Sequence, residues 1–266
     1  MRKHRSVFSI SLQQELAYRP KLVIDRLRNA LQIFLIFFLW DSVFSDPGRE
    51  VFGYDRGKML TYVFGLLIVK AVVFSSRASD LSGMISNGEL TNYLLKPVGF
   101  LRYWFSRDIS SRVIHTTLSI IEASILYLII RPPFFLQSDA ALVLAFLIMT
   151  AAAMVSYFLM LTIVSMIPFW MPEQSWPPVF LFLTVSEMLS GAIFPLDILP
   201  TGLVKALYLT PFPYLVFVPL QVYLGKMGGA AVGQSIGISV AWMLVLGFAV
   251  DRVWRRGIVS YRAEGR

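Results

Sequence analysis

The stretch AALVLAFLIMTAAAMVSYFLMLTIVSMIPFW, Ala140 to Trp170, contains no charged residue. A helix needs about 20 mainly apolar residues to cross the hydrocarbon core of a bilayer. This run exceeds that length, so it predicts a helix that tilts or extends beyond the membrane. The rest of the chain agrees with it. Of 266 residues, 56% are hydrophobic and 15% charged, and the mean hydropathy is +0.66. A soluble protein carries about 25% charged residues. In water this composition would leave much Leu, Ile, Val and Phe exposed; a bilayer removes that difficulty.

Working outward, five further segments are long and apolar enough to span: about Asn29 to Ser45, Lys58 to Ser76, Ile109 to Ile130, Trp176 to Phe194 and Ala231 to Val250. The fold class expected is therefore an all-α integral membrane protein with six transmembrane helices. Charge placement orients it. With the N-terminus inside, seven Lys/Arg fall in the N-terminal segment, five from Arg77 to Arg112 and five in the tail from Arg252, against six outside. Lys/Arg accumulate on the cytoplasmic side of membrane proteins. A seventh span through Ala206 to Gly225 would put the basic tail outside, and Pro211, Pro213 and Pro219 break a helix there. That stretch is expected to be a re-entrant or interfacial element on the outer side, before the last span.

Ahead of the first span, Phe8, Leu12 and Leu16 recur every four residues, and Pro20 follows. This spacing predicts a short amphipathic helix, either lying on the inner membrane surface or packed on the protein. The chain divides as a single membrane domain: a surface segment (1–28), spans one and two (29–76), a cytoplasmic loop (77–108), spans three to five (109–194), an outer re-entrant loop (195–230), the last span (231–250) and a cytoplasmic tail (251–266).

Several functions are excluded. There is no cysteine, hence no disulfide, thiolate metal site or thiol nucleophile. Two histidines, one of them the terminal His4, make no His-rich metal site. The net charge of +8 flanks apolar spans, which suits topology rather than nucleic acid. The segment Gly228 to Ser235, GGAAVGQS, has the glycines of a phosphate loop, but Gln234 stands where its lysine belongs. Gly225, Gly229, Gly233 and Gly237 instead lie four apart, one helical face of small residues open to close approach by another helix.

Charges within spans are costly and point to function by default. Lys70 lies about 9 Å from the inner end of its span at ~1.5 Å per residue, within reach of the interface. Glu122 and Glu187 lie roughly 16–20 Å deep by the same measure. Either they line a translocation path for polar or cationic cargo, or one is neutral and hydrogen-bonded between helices. His115 is either a packing residue or a proton relay. The loop Arg77 to Arg107 contains Leu90, Tyr93, Leu94, Trp104 and Phe105, side chains expected to dock on a partner or the membrane.

Four motifs carry a resemblance. Asn87-Gly88-Glu89-Leu90 followed by Leu94-Leu95-Lys96-Pro97 resembles the cytoplasmic loop of ATP-binding-cassette exporter permeases of the second type. Ser190-Gly191-Ala192-Ile193-Phe194-Pro195-Leu196-Asp197, with Leu199-Pro200, is similar to that family's fifth span and outer loop. Pro211-Phe212-Pro213-Tyr214 with Pro219, and Trp254-Arg255-Arg256-Gly257 with Tyr261, follow in the family's order. The resemblance implies a half-transporter in a bacterial plasma (inner) membrane with both termini cytoplasmic. It implies pairing with a second permease, identical or sister, and with separate ABC ATPase subunits that bind ATP and Mg; this chain would hold no cofactor. It makes Phe8 to Leu16 the surface helix and about Ser86 to Lys96 the coupling element, with Glu89 a charge contact to the ATPase and Lys96-Pro97 closing the helix. The residues alone leave two other readings: an ion-coupled secondary transporter using Glu122 and Glu187, and a membrane scaffold without a pathway.

Overall fold

The computed structural model describes residues 19–44, 46, 48, 50–94 and 99–261. The expected surface helix at Phe8 to Leu16, together with Leu95, Lys96 and Pro97, lies outside the described residues. Ten α-helices occur among the described residues: α1 (Arg19–Val43), α2 (Arg56–Val73), α3 (Asp80–Ser86), α4 (Thr91–Leu94), α5 (Phe100–Ile130), α6 (Ala140–Ser165), α7 (Pro177–Leu189), α8 (Thr201–Leu207), α9 (Phe217–Tyr223) and α10 (Gly229–Ser260). Among the described residues, three helical stretches are long and apolar enough to cross a membrane: Leu101–Ile130, Ala140–Phe169 and Gly229–Ser260. A fourth is possible if α2 and the bent stretch Arg77–Ser86 count as one.

Local chemistry sets the helix ends. The Asp55 carboxylate accepts from the Lys58 amide and caps α2, and Asp139 accepts from Ala141 and caps α6. Side-chain acceptors at this position satisfy amides that have no partner in the first turn. α5 stops where Arg131 turns left-handed (φ 46°), with Pro132 and Pro133 following. α3 and α9 end alike, on glycine. Gly88 (φ 76°) donates to Ile85 O while Glu89 donates to Met84 O; Gly225 (φ 67°) donates to Val222 O while Lys226 donates to Gln221 O. A residue with a β-carbon is disfavoured at these left-handed stops.

α6 is the hub. It packs on α2, α3, α7, α9 and α10, while α2 also holds α1 and α5. The core runs through α2, α6 and α9, with Leu60, Tyr62, Val69, Met149, Leu161, Val218 and Val222 buried. Long apolar stripes remain exposed: Leu31, Leu35 and Phe38 on α1, Leu128 on α5, Leu181 on α7, and Leu244 and Phe248 on α10. A bilayer is the solvent such stripes suit.

Several boundaries differ from expectation. α5 begins at Phe100 rather than Ile109, and α10 continues to Ser260 rather than Val250. The fifth segment, expected to Phe194, ends its helix at Leu189. Gly191 takes φ 83° and its carbonyl accepts from Tyr62 Oη at 2.7 Å, while Ser190 O accepts from the Phe217 amide. A Cβ on Gly191 would meet Phe217 Cβ at 2.8 Å, so this crossing of backbones requires glycine. The proline-rich stretch after it breaks into α8, a 3₁₀ turn at Phe212–Tyr214 and α9, and residues 213–222 are all buried.

Candidate functional site

The end of the bundle where α2, α6 and α10 finish and α5 begins carries Arg77, Arg107, Arg252, Arg255 and Arg256; it is called here the basic end. Three segments meet there. Ser82 Oγ donates to Ser175 O at 2.5 Å and Ser86 Oγ to Pro172 O at 2.6 Å, fixing α3 against the 166–176 loop. The Phe169 ring lies 5.8 Å from Trp254 and 6.0 Å from Tyr261, so the same loop holds the end of α10. A Cβ on Gly257 would collide with that ring, so the glycine of the Trp-Arg-Arg-Gly motif leaves the room the ring occupies.

Within this layer Leu90 and Trp104 are buried in the chain's own core, and Tyr93 and Phe105 pack against it. Most of the apolar side chains expected to need an outside partner are therefore satisfied internally. The surface left over is Asn87, Glu89, Asn92 and Leu94. Asn87 and Gly88 form the helix stop, Glu89 projects from it, and Leu90 anchors it.

A clamp stands behind the layer. Asp108 Oδ1 accepts from Ser76 Oγ (2.5 Å) and the Arg77 amide (2.8 Å), and Asp108 Oδ2 accepts from Arg112 Nε (2.5 Å). Arg112 Nη1 donates to the carbonyls of Val72 and Val73 at the end of α2. The side chains are 0% and 4% exposed. One pair thus ties α5 to both sides of the joint between α2 and α3. Sequence reading missed it because the span boundary set at Ile109 divided the two; their i,i+4 spacing at the end of an apolar helix was the available signal.

A cavity of about 1330 Å³ opens beside the clamp, between α1 and α7 with α2 as its floor. Lys70 Nζ lies 2.9 Å from Glu187 Oε1 on its wall. Lys70, expected to reach toward the inner interface, instead ends beside a carboxylate that α2 and α7 bring to it, a strong partner for its charge. Glu122 pairs with Arg26 at 3.4 Å, and Arg26 also donates to Ser119 Oγ (2.6 Å) and lies 3.0 Å from His115 Nδ1. The two carboxylates thus have separate cationic partners, and only Glu187 lines the cavity. Arg26 was read in sequence as part of the basic N-terminal segment, not as a partner for a span carboxylate.

At the opposite end, Asp197 Oδ2 accepts from Tyr54 Oη (2.8 Å), Gln221 Nε2 (2.7 Å) and Lys226 Nζ (3.3 Å). The Lys226 ammonium also lies 3.2 Å from the centre of the Tyr54 ring. Burial lowers the Lys226 pKa, with Asp197 opposing it. Burial, then the Asp197 charge, raises that of Tyr54 well above the usual phenol range. This node ties the 51–54 turn, the Pro-Leu-Asp motif and α9 together. Gly225, expected in one face with Gly229, Gly233 and Gly237, belongs instead to the α9 stop. The other three lie on α10, and a Cβ on any of them would meet nothing within 4 Å.

The family model described as an ABC-2 family transporter protein matches residues 30–265. No curated protein matches the chain. The match spans every helix from within α1 to the end of α10, so this chain belongs to the ABC-2 family of transporter proteins, as a membrane permease component.

Proposed function

We propose that the chain is the membrane-spanning subunit of an ATP-driven exporter and supplies half of the translocation pathway. Six crossings would be made by α1 from about Asn29, α2, α5, α6, α7 and α10, with the basic end and both termini on the cytoplasmic side of a bacterial inner membrane. ATP and Mg would bind to separate ABC ATPase subunits, and a second permease, identical or sister, would complete the pathway. Among the described residues nothing lies within 4 Å of a Cβ built on Gly229, Gly233 or Gly237, so this stripe would be open to such a partner or to lipid.

The observation that carries this reading is the layer at the basic end. α3 and the Gly88 turn are fastened to the 166–176 loop and, through the clamp, to α2 and α5, while Asn87, Glu89, Asn92 and Leu94 stay exposed. A push on that surface is delivered to three spans at once. Coupling requires that the ATPase favour one of two arrangements through contacts that differ between them. A secondary transporter would want an intramembrane carboxylate available to a cation, but Glu122 and Glu187 each have a basic side chain beside them.

The test is purification of the tagged chain in mild detergent with mass identification of what accompanies it. A nucleotide-binding subunit should co-purify and be lost with Glu89→Lys, while the variant remains inserted. Transport by the purified chain alone under an ion gradient would overturn the reading.

A further inference from the structure

The floor and one wall of the cavity between α1 and α7 are helical stripes that each carry a single charge. On α2 the lining residues are Leu67, Lys70, Ala71 and Phe74, and on α7 they are Phe180, Leu183, Thr184, Glu187 and Met188. Both sets recur at three and four residues, the spacing of one helical face. The two charges are opposite in sign and meet, with Lys70 Nζ 2.9 Å from Glu187 Oε1. Among the described residues neither side chain makes another polar contact. An ammonium has three donors and a carboxylate two oxygens. Two N–H groups of Lys70 and Oε2 of Glu187 are thus left for an occupant of the cavity. Other charges on its lining are engaged more than once. Arg26 already meets Ser119, Glu122 and His115, and Asp80 meets both Arg77 and Arg107.

A singly charged occupant matches such a pair poorly. An anion drawn to Lys70 is brought against Glu187, and a cation drawn to Glu187 is brought against Lys70. Beside apolar walls that repulsion is little screened. A molecule that carries both charges meets each residue with the opposite sign and need not separate them.

We propose that the cavity binds a zwitterionic amphiphile. Its oxyanion accepts from Lys70, its ammonium donates to Glu187 Oε2, and its apolar chain lies along Leu67, Phe180 and Leu183. Hydrogen bonds between ionised groups are the strong ones. The volume of about 1330 Å³, above the ~300–1,000 Å³ usual for ligand pockets, admits a headgroup together with part of a chain. The proposal rests on the permease reading only for calling this molecule cargo; the binding itself needs no ATPase.

The test uses three probes that share one alkyl chain: dodecyl phosphoethanolamine, dodecyl phosphate and dodecylammonium. Each is titrated onto the full chain in a nonionic detergent, and bound probe is measured by native mass spectrometry. The zwitterion should bind at least about tenfold more tightly than either of the others, the ratio expected for one charge-assisted contact. Lys70→Gln and Glu187→Gln should each remove that advantage. Glu187→Gln should also strengthen binding of dodecyl phosphate, and Lys70→Gln that of dodecylammonium. Lys70→Glu with Glu187→Lys, which keeps an ion pair, should bind the zwitterion more tightly than either single variant. Asp41→Asn, in the ion pair with Arg56 at the opposite end, should change nothing. Either singly charged probe held as tightly as the zwitterion, a preference that survives both single variants, or full displacement by phosphoethanolamine without its chain would each overturn the proposal. Failure of an ATPase to co-purify while the preference holds would instead count against the permease reading alone.

Discussion

Two ion pairs lie within a few turns of each other and are built differently. Asp108–Arg112 is closed to solvent, and its atoms reach a hydroxyl, an amide and two carbonyls on neighbouring segments. Lys70–Glu187 faces the cavity with its side chains 19% and 43% exposed, and among the described residues no further side-chain hydrogen bond fixes it. The first fastens helices, and its polar atoms apart from the buried Arg112 Nη2 are committed to that task. The second is held only by its partner, so a ligand can compete for it. Charge inside this apolar fold therefore divides into groups that set geometry and groups left open to the cavity, and the division is read from hydrogen bonding rather than from depth.

Breaking the closed pair should have the largest effect. Asp108→Ala strands a buried guanidinium, and removal of one partner of a buried pair costs about 3–5 kcal/mol. Thermal unfolding in detergent should show it as a large drop in midpoint, whereas Asp108→Leu with Arg112→Met should recover much of the loss. A drop of less than about 1 kcal/mol would mean that the pair does not fasten the joint.

The node at the opposite end comes next. Asp197→Ala deprives Tyr54, Gln221 and Lys226 of a shared acceptor, and buried donors left unpaired cost about 1–3 kcal/mol. Alkaline titration sharpens the same point. Tyr54 is held protonated above its ordinary value near 10, so the folded protein keeps a proton that the unfolded chain releases. That contribution is complete below pH ~10 and declines as pH rises further. Unfolding midpoints should therefore fall more steeply above pH ~10 in the parent than in Tyr54→Phe, where a parallel decline would remove Tyr54 from the node.

The open pair should matter least to stability. Glu187→Gln is expected to cost no more than about 1 kcal/mol, because a half-exposed pair gains little over solvation. Its effect should appear in transport instead. A midpoint shift as large as that of Asp108→Ala would erase the distinction between the pairs.

The parts visible in sequence were those set by local composition. Uncharged length gave away the helix from Ala140; the coupling element expected from about Ser86 to Lys96 is instead interrupted, its first helix ending at Ser86 and Gly88 turning left-handed before a short helix at Thr91–Leu94. What stayed hidden depends on partners far along the chain. α7 is short because Gly191 meets Tyr62 and Phe217, contacts that no window around residue 190 contains. Lys70 finds Glu187 only once α2 and α7 are aligned. Leu90 and Trp104 looked exposed because a connector was assumed to stand clear of the bundle, whereas hydrogen bonds from Ser82 and Ser86 draw it in.

The absence of native cysteine makes one measurement direct. Glu89→Cys, labelled with a membrane-impermeant maleimide, should be unreactive in intact cells, reactive in opened membranes, and protected once the partner ATPase is restored. A cysteine at Lys205 should react from outside throughout. Labelling of position 89 in intact cells, or reactivity indifferent to the ATPase, would contradict a cytoplasmic connector that receives the power stroke.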